Sequence, residues 1–376
     1  MWKLFLLFIV CVNGYKRPFY NSQKKKLFSK KEIPPTMWNL VSRPFKEEAR
    51  KWFIKRAILK GIDWHDITNR YKGPKAFDEI LKLKQELQNI TMKYPDYFLQ
   101  PFHGYDTGNM NWDAAQELEA ASLSMSANYW KDACVMDSET WVRNNVTNNI
   151  KYYTNKFTPD LNINYILDVG SSGGISTEYL SEGFPEASRV YGLDLSPYFV
   201  AVSAFRAKQD ENYKLHYVHQ NAEETNFKNN SFDLIVCNFF FHEVPFNATK
   251  RIINELSRLI RPNGVLAIVD LDPKKVTNNL IVSQFRKWAF EVTEPHIYEY
   301  YNNNMTTTLI EKGFNNVIKV NNDPINSIWF GTKSSECTSD ECICDEDESC
   351  CDVKNEINYN YSNYSKEIYN HANLDF

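Results

Sequence analysis

The sequence predicts an α/β chain in which a doubly wound parallel sheet follows an N-terminal helical module. Three observations carry that expectation. Residues 35–160 place apolar residues at steps of three and four and show no clear strand pattern. From Tyr165 onward, short β-rich runs alternate with helix patterns, the signature of a parallel sheet with helices on both faces. Between the first such run and its helix stands "GSSGG", three glycines within five residues, in a chain of 376 residues with only 13 glycines.

Taken in order, residues 1–14 read as a signal peptide. Lys3 supplies the positive start, Leu4 to Val12 the apolar run, and Val12 and Gly14 the small residues of a cleavage site. A membrane span needs ~20 apolar residues, so no transmembrane anchor is expected after signal removal. Residues 15–34 carry Lys16, Arg17, Lys24, Lys25, Lys26, Lys30 and Lys31, with no acid before Glu32. That is a transit-peptide composition. The pair resembles the two-part leader of proteins sent to a secondary plastid of the apicoplast type. The alternative destination is secretion or an endomembrane lumen, which the Asn145 and Asn247 sequons fit. A fluorescent fusion of Met1–Thr36 is expected to reach a plastid by the secretory route. Plain secretion of that fusion would refute the transit reading.

Three helical stripes follow. The first uses Phe53, Ile54, Ile58, Leu59 and Ile62; the second uses Phe77, Ile80, Leu83, Leu87 and Ile90. The third lies in "NWDAAQELEAASLSMSANYW". All three are expected to pack as core. Residues 161–333 then form the sheet domain. Its strands are expected in "YILDVG", "RVYGLDL", "KLHYVHQN", "FDLIVCNFFF" and "GVLAIVDLD", with helices at 176–182, 197–208 and 250–260. The late runs "NNVIKV" and "SIWFGTK" predict a hairpin at one edge. Residues 334–376 are acidic, Cys-rich and then Asn-rich, and are expected to stay disordered. The tail cysteines, Cys337 to Cys351, lack the paired C-x2-C spacing of zinc sites, so no metal is expected. Cys134 and Cys237 are expected as small core residues. A net charge of −4 and the lack of a basic stripe argue against a nucleic-acid partner.

In a doubly wound sheet, ligands bind beyond the carboxyl ends of the strands. The glycine turn lies there. A dinucleotide fingerprint needs glycine at its first, third and sixth positions, but Gly170 is followed by Ser172 and Ile175. The turn instead resembles the first motif, D-x-G-x-G-x-G, of class I S-adenosylmethionine-dependent methyltransferases. Asp168, Gly170 and Gly174 match it; Ser172 replaces the middle glycine and Gly173 is an extra one. The resemblance implies a Rossmann-like methyltransferase sheet with S-adenosyl-L-methionine as cofactor. It implies a cofactor site built from Asp168, Gly170, Ser171, Ser172, Gly173 and Gly174, then Asp194 and Leu195 after the second strand. Asn221 and Ala222 follow the third strand, and Asn238 ends the fourth. Within that class the chain resembles the type 11 methyltransferases. The segment Tyr97 to Ser122, together with "FFFHEVP" and "FEVTEPHIYEYY", resembles a plant and algal plastid-type subgroup of them.

Methyl transfer needs an aligned nucleophile and, for a protonated acceptor, a base. His242, just beyond the fourth strand, suits that task, with Glu243 to orient it. His103 and Tyr105 form a second candidate set. The expected activity is methylation of a small-molecule acceptor of quinone or lipid type. The aromatic residues at 239–241 and 298–301 suit an apolar one. The alternative is a cofactor-binding assembly partner that keeps the fold without turnover.

Overall fold

We describe residues 48, 50–130, 134–276 and 294–334 from a computed structural model. The leader and most of the Cys-rich tail lie outside the described residues. The helices before the first strand and the sheet belong to one compact unit, Ser42–Phe376.

A helical stretch, 50–59, is followed by α1 (Trp64–Lys72), α2 (Pro74–Leu87), α3 (Trp112–Ser126) and the long α4 (Val135–Phe157). Three of these starts have a local cause. Asp63 and Asn111 cap α1 and α3 by accepting from the amides of Asp66 and Ala114, and Pro74 opens α2. The predicted stripes are core only in part. Ile62 and Ile80 are buried, but Ile58, Leu59 and Ile90 are exposed. The first helix stops at Leu59 and α2 stops at Leu87, so Ile90 is no longer on a helix face. Cys134 also departs from expectation: it sits at the start of α4 and is exposed, whereas Cys237 is fully buried.

The sheet comprises β1 (Tyr165–Val169), β2 (Arg189–Asp194), β3 (Leu215–His219), β4 (Phe232–Asn238), β5 (Ile260–Leu271), β6 (Phe314–Asn321) and β7 (Asn326–Lys333). Their order is β3-β2-β1-β4-β5-β7-β6. β1 to β5 pair in parallel, and β7 enters antiparallel between β5 and β6. Between them run α5 (Ile175–Gly183), α6 (Pro197–Gln209), α7 (Phe246–Leu259), α8 (Ile297–Asn302) and α9 (Met305–Glu311).

Alternation along the strands divides the core in two. Leu167, Ile235, Cys237, Leu266 and Ile268 point to one face, where they meet Ile252, Ile253 and Leu256 of α7. Ile166, Leu234, Val236, Val265 and Ala267 point to the other, against Val146, Ile150 and Tyr153 of α4 and Leu180 of α5. The N-terminal module is thereby built into the second core: Tyr153 stacks on Phe330 of β7 at 4.5 Å. Both faces are covered, which is why the strands read as near-continuous apolar runs. Among the described residues no helix is long and apolar enough to cross a membrane.

Candidate active site

The carboxyl ends of β1, β2, β4 and β5 open on one cavity of about 530 Å³. The sheet supplies its floor. Its walls include Trp52, Phe53, Trp64, Leu118, Met125 and Tyr129 from the preceding helical region. The whole segment Tyr97–Ser122 contributes repeatedly, through Tyr97, Phe98, His103, Tyr105, Asn109, Glu117 and Leu118.

The glycine turn works by shape. The amides of Gly170 and Ser171 bond to the Leu193 carbonyl, and that of Gly174 to the Ser171 carbonyl. Few of its N–H groups therefore remain for a ligand. Ser172 adopts the left-handed φ of 50° that a middle glycine would take, and its amide donates to Asp194 Oδ2 at 2.9 Å. Gly174 starts α5 at φ 87°, and a side chain there would meet the Tyr217 hydroxyl at 2.5 Å. The extra glycine has a separate cause. A Cβ at Gly173 would lie 2.7 Å from Leu118, so its absence lets α3 seat on the turn.

Asp168 does not line the cavity. It is fully buried beneath the turn, accepting from Ser176 Oγ at 2.5 Å, Thr177 Oγ1 at 2.7 Å and Asn238 Nδ2 at 3.3 Å. It ties β1 to the start of α5 and to the end of β4, while burial raises its pKa. Asp194 does line the cavity. Its two oxygens accept from the amides of Ser172 and of Ser196, the latter at 2.7 Å, and burial raises its pKa to about 6. Each oxygen keeps a lone pair for a ligand hydroxyl. Gly170, Ser171, Ser172, Leu195, Asn221, Ala222 and Asn238 also line the cavity; Gly173 and Gly174 shape the turn behind it. Asn221 Oδ1 accepts from the Glu223 amide, which fixes the loop after β3.

Among the described residues, four buried polar atoms on the cavity wall lack a hydrogen-bond partner: Asn109 Oδ1, Ser171 Oγ, Asn238 Oδ1 and Glu294 Oε2. Such atoms cost free energy unless a ligand or water completes them. A nucleoside carrying an amino-acid head fits this donor and acceptor set. Asp194 suits the ribose hydroxyls, and the other groups lie within the same wall.

His242 lies on the 3-10 turn Phe241–Glu243, which follows a left-handed residue, Phe239, at φ 55°. Its partner is not Glu243 but Asp270 at the end of β5. Nδ1 of His242 is 2.7 Å from Asp270 Oδ1, and Asp270 Oδ2 accepts from the amides of Phe241 and His242. Burial alone would lower the His242 pKa; the Asp270 carboxylate outweighs it and raises the value to about 9. Asp270 escaped the sequence reading because it stands 28 residues from His242. The acidic end of "VLAIVD" was the available signal.

His103 reaches the same cluster from the other wall. The His103–Gly104 pair forms a tight turn with φ of 51° and 85°, closed by the amides of Phe102 and Tyr105. Its Nε2 lies 3.4 Å from Glu294 Oε1 and 3.5 Å from Glu243 Oε1. Its open surface faces the cavity, and desolvation followed by His242 lowers its pKa to about 3. Burial raises Glu294 to about 8 and Glu243 well above the usual range. Near neutrality His242 is therefore charged and His103 is neutral. Tyr105 differs from expectation. Its hydroxyl donates to Glu117 Oε2 at 2.6 Å, and Glu117 also holds Arg50, so the tyrosine serves as wall. Residues 298–301 also stand apart: Tyr298 is exposed, Tyr300 bonds to the Leu271 carbonyl, and none lines the cavity. Phe239 and Phe240 do line it, whereas Phe241 is core.

Part of the chain is similar to known proteins. Residues 167–268 match the type 11 family described as a methyltransferase domain. A demethylmenaquinone methyltransferase from Listeria welshimeri is 29% identical over 105 residues, 28% of this chain and 44% of that protein. An uncharacterized methyltransferase from Synechocystis is 31% identical over 106 residues, 28% of this chain and 46% of that protein. The chain spans under half the length of the curated relatives it matches. Among solved structures, magnesium protoporphyrin IX methyltransferase from Synechocystis is 15% identical with a TM-score of 0.42, covering 59% of this chain and 97% of that one. Residues 167–268 thus match a methyltransferase domain, and the cavity at its strand ends is completed by the preceding helices.

Proposed function

We propose that this chain methylates a small apolar acceptor carrying an acidic hydroxyl, of phenol, enol or hydroquinone type. The observation that supports this reading is the buried His242–Asp270 pair at the edge of a cavity walled by aromatic side chains. When bound, the cofactor supplies an electrophilic methyl group on a sulfonium. In its neutral form, which gains population as pH nears about 9, His242 takes the acceptor's proton at its Nε2, while Asp270 fixes the ring and stabilises the resulting charge. A His242 pKa near 9 matches the acidity of a phenol, for which the tyrosine side chain, at ~10, is a guide. The walls exclude water from the nucleophile. The relatives named demethylmenaquinone methyltransferases fit an acceptor of this kind. Membership of the plastid-type subgroup is part of the same proposal, supported by the place of Tyr97–Ser122 in the cavity wall.

The test is incubation of the protein with labelled cofactor and an organelle extract, followed by identification of the labelled product. The expected label is on a hydroxyl-bearing apolar metabolite, at oxygen or at the adjacent ring carbon. Label on an amine would overturn the acceptor class. Cofactor binding with no transfer to any fraction would favour the assembly-partner alternative.

A further inference from the structure

Arg143 sits on α4, upstream of the matched methyltransferase domain, and its side chain lines the cavity beside Asn238 and Ser176. It is buried, which is unusual for an arginine unless it has a task. Its environment fixes it on one side only. Nε donates to Glu139 Oε1 at 3.0 Å, Nη2 donates to Ser122 Oγ at 3.3 Å, and the guanidinium lies 5.2 Å from the centre of the Phe239 ring. Ser122 Oγ donates in turn to Glu139, which closes the support. Nη1 has no hydrogen-bond partner among the described residues. Two further buried wall atoms wait nearby in the same lining: Asn238 Oδ1, an acceptor, and Ser171 Oγ.

A rigid guanidinium with a free edge suits a carboxylate, and an orphaned amide oxygen suits an ammonium. Both charges occur together in an α-amino acid. We infer that Arg143 and Asn238 hold the amino-acid head of the cofactor, the guanidinium taking the carboxylate and Asn238 Oδ1 the ammonium. This rests on the S-adenosylmethionine reading of the site and deepens it. It also gives the N-terminal module a share in cofactor recognition, because α4 and α3 supply Arg143, Glu139 and Ser122.

The test compares two ligands by calorimetry. S-adenosylhomocysteine has the amino-acid head; 5′-methylthioadenosine keeps the nucleoside and lacks it. Arg143→Gln is expected to weaken the first by about 10- to 100-fold, the range for charge-assisted bonds, and to leave the second unchanged. Retained methylthioadenosine binding also reports an intact cavity. Arg143→Lys keeps the charge without the fork and should show a smaller loss. Unchanged S-adenosylhomocysteine affinity in Arg143→Gln, or an equal loss for both ligands, would overturn the assignment. If the unmodified protein binds neither ligand, the cofactor reading falls and the assignment falls with it.

Discussion

Replacing His242 by alanine is expected to lower turnover by ~10²–10⁴-fold, the range for a lost general base, with cofactor affinity nearly intact. The two effects separate because Asp194, Asn221 and Ala222 lie at the ends of other strands. The pH profile supplies a sharper test. A histidine raised to about 9 is protonated at neutrality, so turnover should rise with pH until it levels near that value. Asp270→Asn removes the charge that holds the value up. The limb should then move to lower pH while the plateau falls, because the ring loses its orienting partner. Glu243, Glu294 and His103 face the same group and set the remaining field. Initial rates across the range from pH ~6 to ~10 would show this. A flat profile in the unmodified protein would remove His242 as the base. The same ion pair bears on stability. The folded value lies above the unfolded one, so its contribution is complete below about 6.5 and is lost as pH rises through about 9.

Asp194→Ala should be the most damaging change for cofactor binding. Each ribose hydroxyl bonded to the carboxylate contributes ~1.5–3 kcal/mol, and the substitution also strips the amides of Ser172 and Ser196 of their acceptor. The glycine turn would lose the contact that fixes its left-handed serine. Affinity should also depend on pH. Burial raises the Asp194 pKa to about 6, so the ionised acceptor is present above that value. Binding of S-adenosylhomocysteine is expected to weaken as pH falls through about 6. Titration calorimetry at two pH values checks both points, and equal affinities in the variant and the unmodified protein would take Asp194 out of the site.

The sheet was legible because its signals are local. Strand ends at Asp194 and Asn238 follow from apolar runs closed by polar residues, and α5 follows from the glycines before it. Most of the residues that line the cavity at those strand ends came with them. The acceptor side depends on contacts between distant segments. Glu243 is adjacent to His242 in sequence, yet on a tight 3-10 turn neighbouring side chains diverge, and Glu243 meets His103 instead. Asp270 reaches His242 because β4 and β5 pair in register, with Asn238 opposite Val269. Arg143 was invisible to a search for apolar stripes, since none of the three stripes read in the sequence covers its helix. Ile90 failed for the opposite reason: apolar spacing continued past the point where its helix ended.

The place of β7 has a consequence for how the chain reaches this structure. The last strand in sequence among the described residues is an inner strand of the sheet, lodged between β5 and β6. Until it arrives, β5 offers an open apolar edge from Val265 to Leu271, the kind of edge that pairs with other chains. Synthesis supplies that edge some 60 residues before its partner. Closing the sheet therefore requires the segment carrying α8, α9 and β6 to be brought into place, a slow, non-local step. During that interval the nascent protein is exposed to aggregation and is a natural client for chaperones.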